Sequence, residues 1–294
     1  MLIVDTVYEQ IRDQLARFEP ERGGALYGVR GYPCVTHFEY DPAAVTTGAS
    51  YLPSVQLIGN VQRVESKTGL EFKGIIHSHP AGIARPSGQD EWAASKFFEL
   101  NPHHSWMAMP IVQELGTDRS HPERFLHWYR VERSRAKPGR PTRARGRPFG
   151  VAETQPVAVM VVADDFHVIP LREHVHWLAQ RLSHGSSRRF DIGPALQLLQ
   201  LQGADLVGMV STADDGTEFM YFASMAYPVA APLVLHRSGL NTQSLRFDWD
   251  GTTDALQSLE QMACALESEW EKSHSTVGLN RLHSPSPGET WPST

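Results

Sequence analysis

Apolar positions in the first 132 residues follow helical spacing in some segments and form short strand-like runs in others. Near the start, apolar residues recur every three or four positions, which predicts a helix that ends before Pro20. These residues are Val7, Ile11, Leu15 and Phe18. Short apolar runs bounded by glycine, proline or polar residues predict strands over 24–29, 35–40, 72–76, 106–112 and 125–131. With helices predicted over 55–65 and 87–100, the pattern indicates an α/β fold.

The second half of the chain combines further strands and helices with one strong hairpin signal. Asp214-Asp-Gly216 is a turn sequence, and it predicts a hairpin between strands over 206–211 and 218–224. Other strands are predicted over 157–162 and 233–236, and helices over 173–182, 194–202 and 253–270. We therefore predict a second domain of the α+β type.

A basic segment separates the two halves. Residues 133–150 contain three prolines, three glycines and seven basic residues with no acidic one, which is typical of a solvated linker. A basic arm that contacts an acidic partner or nucleic acid is the alternative interpretation. We predict one domain over 1–132, the linker over 133–150, the second domain over 151–282 and a flexible proline- and serine-rich tail over 283–294.

The composition narrows the class of protein. Hydrophobic residues make up 41% and charged residues 20%, proportions typical of a globular protein. The net charge of −6 argues against a dedicated nucleic-acid-binding protein, since such proteins are usually basic. Cys34 and Cys264 form no CxxC pair, so we expect neither a thiolate zinc ribbon nor a disulfide scaffold. The sequence shows no secretory signal pattern and no apolar run of membrane-spanning length. We expect a cytoplasmic protein without a membrane partner.

A compact group of metal-ligand residue types follows the strand predicted over 72–76. His77 and His79 are two positions apart at the end of that strand, so their imidazoles face the same side. Asp90 falls in the first turn of the next predicted helix and can supply a third, oxygen ligand. Three protein ligands leave one position of a tetrahedral zinc ion open, which is typical of a catalytic zinc site.

Each of these residues also has an ordinary structural interpretation. An HxH pair in a chain with 14 histidines can be surface or satisfied core, and Ser87-x-x-Asp90 is a capping-box pattern that starts a helix. The cap and the metal site are compatible, because a cap can also place Asp90 at the metal. His174 and His176 form a second HxH pair on a predicted helix, where such residues diverge, so we interpret them as non-ligands.

The sequence His77-Ser-His-Pro80 with Ser87 and Asp90 resembles the JAMM motif of the MPN metalloproteases, which are zinc-dependent deubiquitinating enzymes and their bacterial relatives. The family also has an upstream glutamate beside a glycine-rich strand, and Glu21-Arg-Gly-Gly-Ala-Leu-Tyr-Gly28 fits that element. The resemblance covers roughly residues 1–132 and implies an MPN domain whose mixed sheet is flanked by helices.

The resemblance also implies a role for each residue of the motif. His77, His79 and Asp90 would hold Zn²⁺, Glu21 would act as general base toward a water molecule, and Ser87 would donate to the oxyanion. Family members cut peptide or isopeptide bonds after the C-terminal glycine of a ubiquitin-like protein. The implied partners are that protein or its conjugates, with activating or conjugating enzymes of the same pathway. Related bacterial proteins often belong to conjugation systems linked to phage defence.

The second half resembles ubiquitin-conjugating enzymes and their inactive relatives. Tyr227-Pro228 stands four residues before Pro232 between two predicted strands, with a helix on either side. Active members carry a cysteine on the loop after the last strand, and residues 237–251 have none. The resemblance implies a catalytically inactive binding module, and an unrelated α+β domain is the alternative.

Two other functions stay open for the first half. One is a catalytically silent MPN scaffold, against which the presence of all five motif residues argues. The other is a zinc hydrolase that acts on small amides or cysteine conjugates.

Overall fold

The structure is a computed structural model that divides into two units, Met1–Ile169 and Pro170–Thr294. It describes residues 1–19, 21–47, 50–116, 121, 123–134, 157–185, 190–192, 197–201, 204–213, 216–245, 249, 257–265 and 268. Within these ranges, no helix is both long enough and apolar enough to span a membrane.

The first unit contains three α-helices and thirteen strands in the described ranges. The helices are α1 (Asp5–Ile11), which continues into a π-helical turn (Arg12–Ala16), α2 (Val55–Thr68) and α3 (Gly88–Leu100). The strands are β1 (Leu2–Val4), β2 (Gly23–Gly28), β3 (Cys34–Val35), β4 (His37–Tyr40), β5 (Val45–Thr47), β6 (Ser50–Leu52), β7 (Glu71–Ser78), β8 (Trp106–Ala108), β9 (Ile111–Val112), β10 (Leu126–His127), β11 (Tyr129–Arg133), β12 (Val159–Ala163) and β13 (His167–Ile169).

The largest sheet has eight strands and is centred on β7. Its order is β10-β9-β7-β8-β11-β12, and β2 pairs with both β7 and β4. β7 is antiparallel to β2 and parallel to β8 and β9, so the sheet is mixed. Two smaller sheets have the orders β13-β1-β3 and β5-β6. The predicted α/β fold with a mixed sheet and flanking helices is confirmed.

Helix α2 begins and ends at residues that favour a helix end. The Ser54 hydroxyl accepts the Leu57 backbone N–H at 3.0 Å at the start of α2, and Gly69 ends that helix in the left-handed conformation.

α3 packs on the sheet through Ala94 and Phe98. These two residues share a buried cluster with Met107, Met109 and Val131.

One strand lies in a different unit from the one that we predict from the sequence. We predict from the sequence that the strand over 157–162 belongs to the second domain, whereas in the structure β12 pairs with β11 of the first unit. Val157, Val159 and Val161 pack against the buried cluster under α3, since alternate residues of a strand share one face. The basic segment therefore joins two neighbouring strands of one sheet. Residues 135–150 of that segment lie outside the described residues, and its role as a linker stays a prediction.

Where the structure describes the second unit, it contains one long helix and an antiparallel sheet, with a further helical segment at residues 257–265. Its elements are α4 (Leu171–Gly185), β14 (Phe190–Ile192), β15 (Gln197–Leu201), β16 (Ala204–Ala213), β17 (Glu218–Ala223), β18 (Leu233–Ser238) and β19 (Asn241–Leu245). β16 pairs with β14, β15 and β17, and β18 and β19 continue the sheet. The predicted hairpin across Gly216 is confirmed by the β16–β17 pairing.

The helix predicted over 194–202 is wrong, because residues 197–201 form β15 and pair along their length with β16. A leucine-rich run this short fits helical and strand spacing equally well, and the partner strand decides between them. The helix predicted over 253–270 is confirmed at 257–265, and most of the remainder lies outside the described residues. The predicted tail over 283–294 also lies outside them.

The tight approach of β7 to β8 predicts that Gly74 tolerates no side chain. A Cβ at Gly74 would lie 1.8 Å from the backbone oxygen of Ala108, so the two strands would have to separate. We expect Gly74→Ala to destabilise the first unit by about 2 kcal/mol or more, read as a lower urea midpoint. The matched control is Gly59→Ala in α2, where nothing lies within 4 Å and a gain of about 0.5–1 kcal/mol is expected. An unchanged midpoint for Gly74→Ala would contradict the strand packing.

Candidate metal centre

Two imidazoles lie at the carboxyl end of β7. Two backbone hydrogen bonds hold this segment: His79 donates its N–H to the Val112 oxygen of β9 at 2.9 Å, and Ser78 donates its N–H to the oxygen of Arg22, which precedes β2, at 2.7 Å. His77 and His79 therefore keep strand geometry and face the same side. Their Nε2 atoms are 2.8 Å apart, and both side chains are buried.

Asp90 reaches the same point from the first turn of α3. Its Oδ1 lies 3.2 Å from the Nε2 of His77, and its Oδ2 lies 3.5 Å from the Nε2 of His79. The Asp90 Oδ2 also accepts the Ser87 N–H at 2.6 Å, and the Ser87 Oγ accepts the Asp90 N–H at 3.3 Å. The capping box is complete, and it aims the Asp90 carboxylate at the two imidazoles.

Glu21 lies on the same cluster, just before β2. One oxygen of its buried carboxylate and the ligand nitrogens of His77 and His79 all lie within 4.8 Å of one another. Ser78 holds the neighbouring backbone, since its Oγ accepts the Arg22 N–H at 2.9 Å. The structure thus brings Glu21, His77, His79 and Asp90 together, with Ser87 at the cap beside them.

The charges of the cluster favour a cation at its centre. Burial raises the pKa of Glu21, against the opposing effect of His79 and His77. At Asp90, burial also acts to raise the pKa, but hydrogen bonds from His77 and His79 outweigh it and hold the pKa well below its usual range. Burial acts to lower the pKa of His79, and its interactions with Asp90 and Glu21 reverse that effect and raise it. Two carboxyl groups therefore surround the imidazoles and favour positive charge there.

The donor set fits a divalent zinc ion. Imidazole nitrogen and carboxylate oxygen are ordinary zinc ligands, and the three donors of His77, His79 and Asp90 converge from two elements. Two Nε2 lone pairs repel each other at 2.8 Å unless a proton or a metal ion lies between them. Among the described residues, Glu21 together with His77 and His79 also forms a group close enough to hold an ion, so Glu21 is a second candidate for the oxygen ligand beside Asp90.

The second HxH pair takes part in other contacts. His174 Nδ1 contacts the Tyr227 hydroxyl, and His176 Nε2 lies 2.7 Å from the Gln180 amide nitrogen. These contacts agree with the interpretation of both histidines as non-ligands, which stays a prediction.

Sequence reasoning missed Gln113, which anchors the loop between His79 and Ser87. With its amide oriented to satisfy all three contacts, the Gln113 oxygen accepts the N–H groups of Gly82 and Ile83 at 3.1 and 3.2 Å, and its nitrogen donates to His127 Nε2 at 3.1 Å. Nothing in the local sequence signals this role, because Gln113 reaches the loop only through the pairing of β9 beside β7.

Sequence reasoning also missed Tyr51, whose ring stacks on His77 with centroids 5.6 Å apart. Tyr51 precedes β7 by twenty residues and belongs to the separate β5–β6 sheet, so its contact with the site depends on tertiary packing.

Comparison with known proteins identifies the kind of domain that carries the site. Residues 4–127 match the family model Prok-JAB, described as prokaryotic homologs of the JAB domain. A prokaryotic JAB-like domain therefore occupies residues 4–127. This domain contains Glu21, both histidines of the site, Ser87 and Asp90. The match confirms, at the level of the domain, the resemblance drawn from the motif.

Comparison with solved structures gives only a weak match. The solution structure of protein DSY2949 from Desulfitobacterium hafniense is 14% identical, with a TM-score of 0.37, and the match covers 57% of this chain and 92% of that one. No curated protein matches the sequence.

The convergence of three donors predicts that the purified protein contains about one zinc ion per chain. We expect His77→Ala and Asp90→Asn to lower the zinc content well below that level when it is measured by mass spectrometry of the metal. Asn at position 90 keeps an oxygen for the Ser87 N–H, so the loss reports on the carboxylate charge more than on the helix cap. His103→Ala, at an exposed histidine, serves as the control and should keep its zinc. Full zinc content in both site variants would contradict the assignment.

Proposed function

We propose that the JAB-like domain is a zinc-dependent peptidase or isopeptidase that cleaves after the C-terminal glycine of a ubiquitin-like protein. The observation that carries the proposal is the convergence of His77, His79 and Asp90, with Nε2-to-oxygen distances of 3.2 and 3.5 Å, next to the buried carboxyl of Glu21. Three ligands leave a coordination position for water, which a structural zinc site does not.

Zinc, when bound, supplies a Lewis acid that lowers the pKa of water toward neutrality. Glu21 then accepts the proton of the attacking water and returns it to the nitrogen of the departing amine. Burial raises the pKa of Glu21, which makes its carboxylate a better proton acceptor. The hydrogen bonds between the Ser78 hydroxyl and the Arg22 backbone hold the neighbouring Glu21 in place for both proton transfers.

Ser87 stabilises the negative charge that develops on the carbonyl oxygen of the substrate. Its Oγ accepts the Asp90 N–H, so the hydroxyl proton is still able to point outward, and Ser87 is exposed at the start of α3. A single hydrogen bond of this kind contributes roughly 3 kcal/mol to the transition state in comparable sites.

The second unit serves as a binding module that resembles inactive ubiquitin-conjugating enzymes. What supports this is the order of α4 followed by an antiparallel sheet, and the packing around Tyr227-Pro228 after β17. The Tyr227 hydroxyl contacts His174 of α4, and the Trp249 ring nitrogen donates to the Pro228 oxygen at 2.8 Å. The module recruits a ubiquitin-like protein or an activating or conjugating enzyme, in a cytoplasmic bacterial conjugation system of the kind linked to phage defence. Cys34 and Cys264 are both unpaired, which agrees with a reducing compartment.

Replacing Glu21 by glutamine distinguishes two possible roles of its carboxyl group, general base and zinc ligand. If Glu21 is the general base, the Glu21→Gln variant should keep its zinc while turnover falls by about 10²–10⁴-fold, because the amide accepts no proton. If Glu21 is a ligand, the variant should lose zinc and activity together. Zinc content and turnover are measured on one preparation, with Glu19→Gln, at an exposed neighbouring acid, as the matched control. A fully active Glu21→Gln protein would refute the proposed chemistry.

The substrate class is tested with two sets of amides. We expect chelator-sensitive cleavage of ubiquitin-like fusions joined through a C-terminal Gly-Gly, and little cleavage of small amides or cysteine conjugates. Cleavage is followed by the mass of the released products, with Asp90→Asn as the inactive control. Preferential hydrolysis of the small amides would indicate a small-molecule hydrolase, and a zinc-free protein inert on both sets would indicate a scaffold.

A further inference from the structure

We propose that Tyr51 is a positioning residue that fixes the imidazole of His77 for metal binding. The proposal rests on the metal site proposed above. The two rings are nearly parallel, with centroids 5.6 Å apart and an interplanar angle of 12°. Tyr51 is 8% exposed and His77 is 3% exposed, so the contact is shielded from water.

A glycine in β2 makes room for this contact. Gly23 pairs with His77 in the β2–β7 register. A Cβ at Gly23 would lie 2.7 and 2.8 Å from two ring carbons of Tyr51, and 2.6 Å from the backbone oxygen of Ile76. The ring therefore lies where a side chain at position 23 would otherwise be. The glycine-rich start of β2 thus gives the aromatic ring access to the end of β7.

The hydroxyl end of Tyr51 is held by a buried carboxylate. The Tyr51 hydroxyl donates to the Asp41 Oδ2 at 3.3 Å, and the same oxygen accepts the Ser54 N–H at 2.7 Å at the start of α2. Asp41 is 4% exposed. The Tyr51 side chain is thus fixed at both ends, by Asp41 at the hydroxyl and by His77 and Gly23 at the ring.

The stack replaces the orienting contact that metal-bound histidines usually have. A ligating imidazole normally donates its second ring N–H to a carboxylate, a backbone carbonyl or water, which fixes the plane of the ring. Among the described residues, the buried Nδ1 of His77 has no hydrogen-bond partner. The His79 ring and Asp90 contact the edge of the His77 ring, and Tyr51 covers its face. Packing against Tyr51 therefore limits rotation of the His77 ring about its Cα–Cβ and Cβ–Cγ bonds.

The test measures metal affinity in the full-length protein with Co²⁺ as the probe. Co²⁺ is titrated in the presence of a competing chelator, and visible absorption reports on the geometry of the bound ion. We expect Tyr51→Leu to weaken Co²⁺ binding by about tenfold or more and to change the visible spectrum, because loss of such orienting contacts costs about 10–100-fold in affinity. Tyr51→Phe keeps the ring and should bind within about threefold of the unaltered protein. Tyr32→Leu, at a tyrosine 40% exposed, is the matched control and should change neither quantity.

The outcomes separate this proposal from the proposed function. If the unaltered protein binds no Co²⁺ or Zn²⁺, the metal site itself is wrong. If it binds Co²⁺ and Tyr51→Leu matches its affinity and spectrum, the role of Tyr51 is overturned while the metal site stands. Circular dichroism checks the fold of each variant. A Tyr51→Leu chain that fails to fold would place Tyr51 in the core rather than at the metal, and would overturn the proposal as well.

Discussion

Pairing of β7 on both of its edges is the constraint on which the candidate site depends. β2 lies along one edge, and β8 and β9 share the other, so the backbone that carries His77 has little freedom to move. Strand alternation then directs His77 and His79 to the same side, where their Nε2 atoms meet at 2.8 Å. An exposed edge strand would give the two rings a much less certain separation. The eight-stranded sheet thus acts as a rigid support for a small group of ligands.

The start of α3 serves two purposes with one pair of side chains. Ser87 and Asp90 satisfy backbone N–H groups that a helix start leaves without partners, and the same geometry directs the Asp90 carboxylate toward the imidazoles. Helix formation and ligand placement are therefore coupled. On the other side of the site, Ser78 ties the backbone next to Glu21 to β7, which couples the acid to the same strand.

The sequence predicts the local parts of this arrangement better than the distant ones. The strand before His77 and the cap at Ser87 follow from neighbouring residues, and both are confirmed. Glu21 is assigned only through resemblance, because no spacing rule connects it to a residue 56 positions later. The contacts of Tyr51 and Gln113 depend on how separate strands pack, so they have no local signal. Periodicity at 157–162 predicts a strand correctly but says nothing about which sheet it joins.

The position of β12 bears on how this protein can be divided. The family match ends at residue 127, close to the basic segment, which suggests residue 132 as the end of a minimal fragment. A chain cut there would leave β11 as an unprotected edge strand. It would also lack Val157, Val159 and Val161, which pack against the apolar cluster beneath α3. The cut would also remove β13, one of the two strands that pair with β1. A fragment that ends after Ile169 keeps all of these contacts, whereas the shorter one invites self-association.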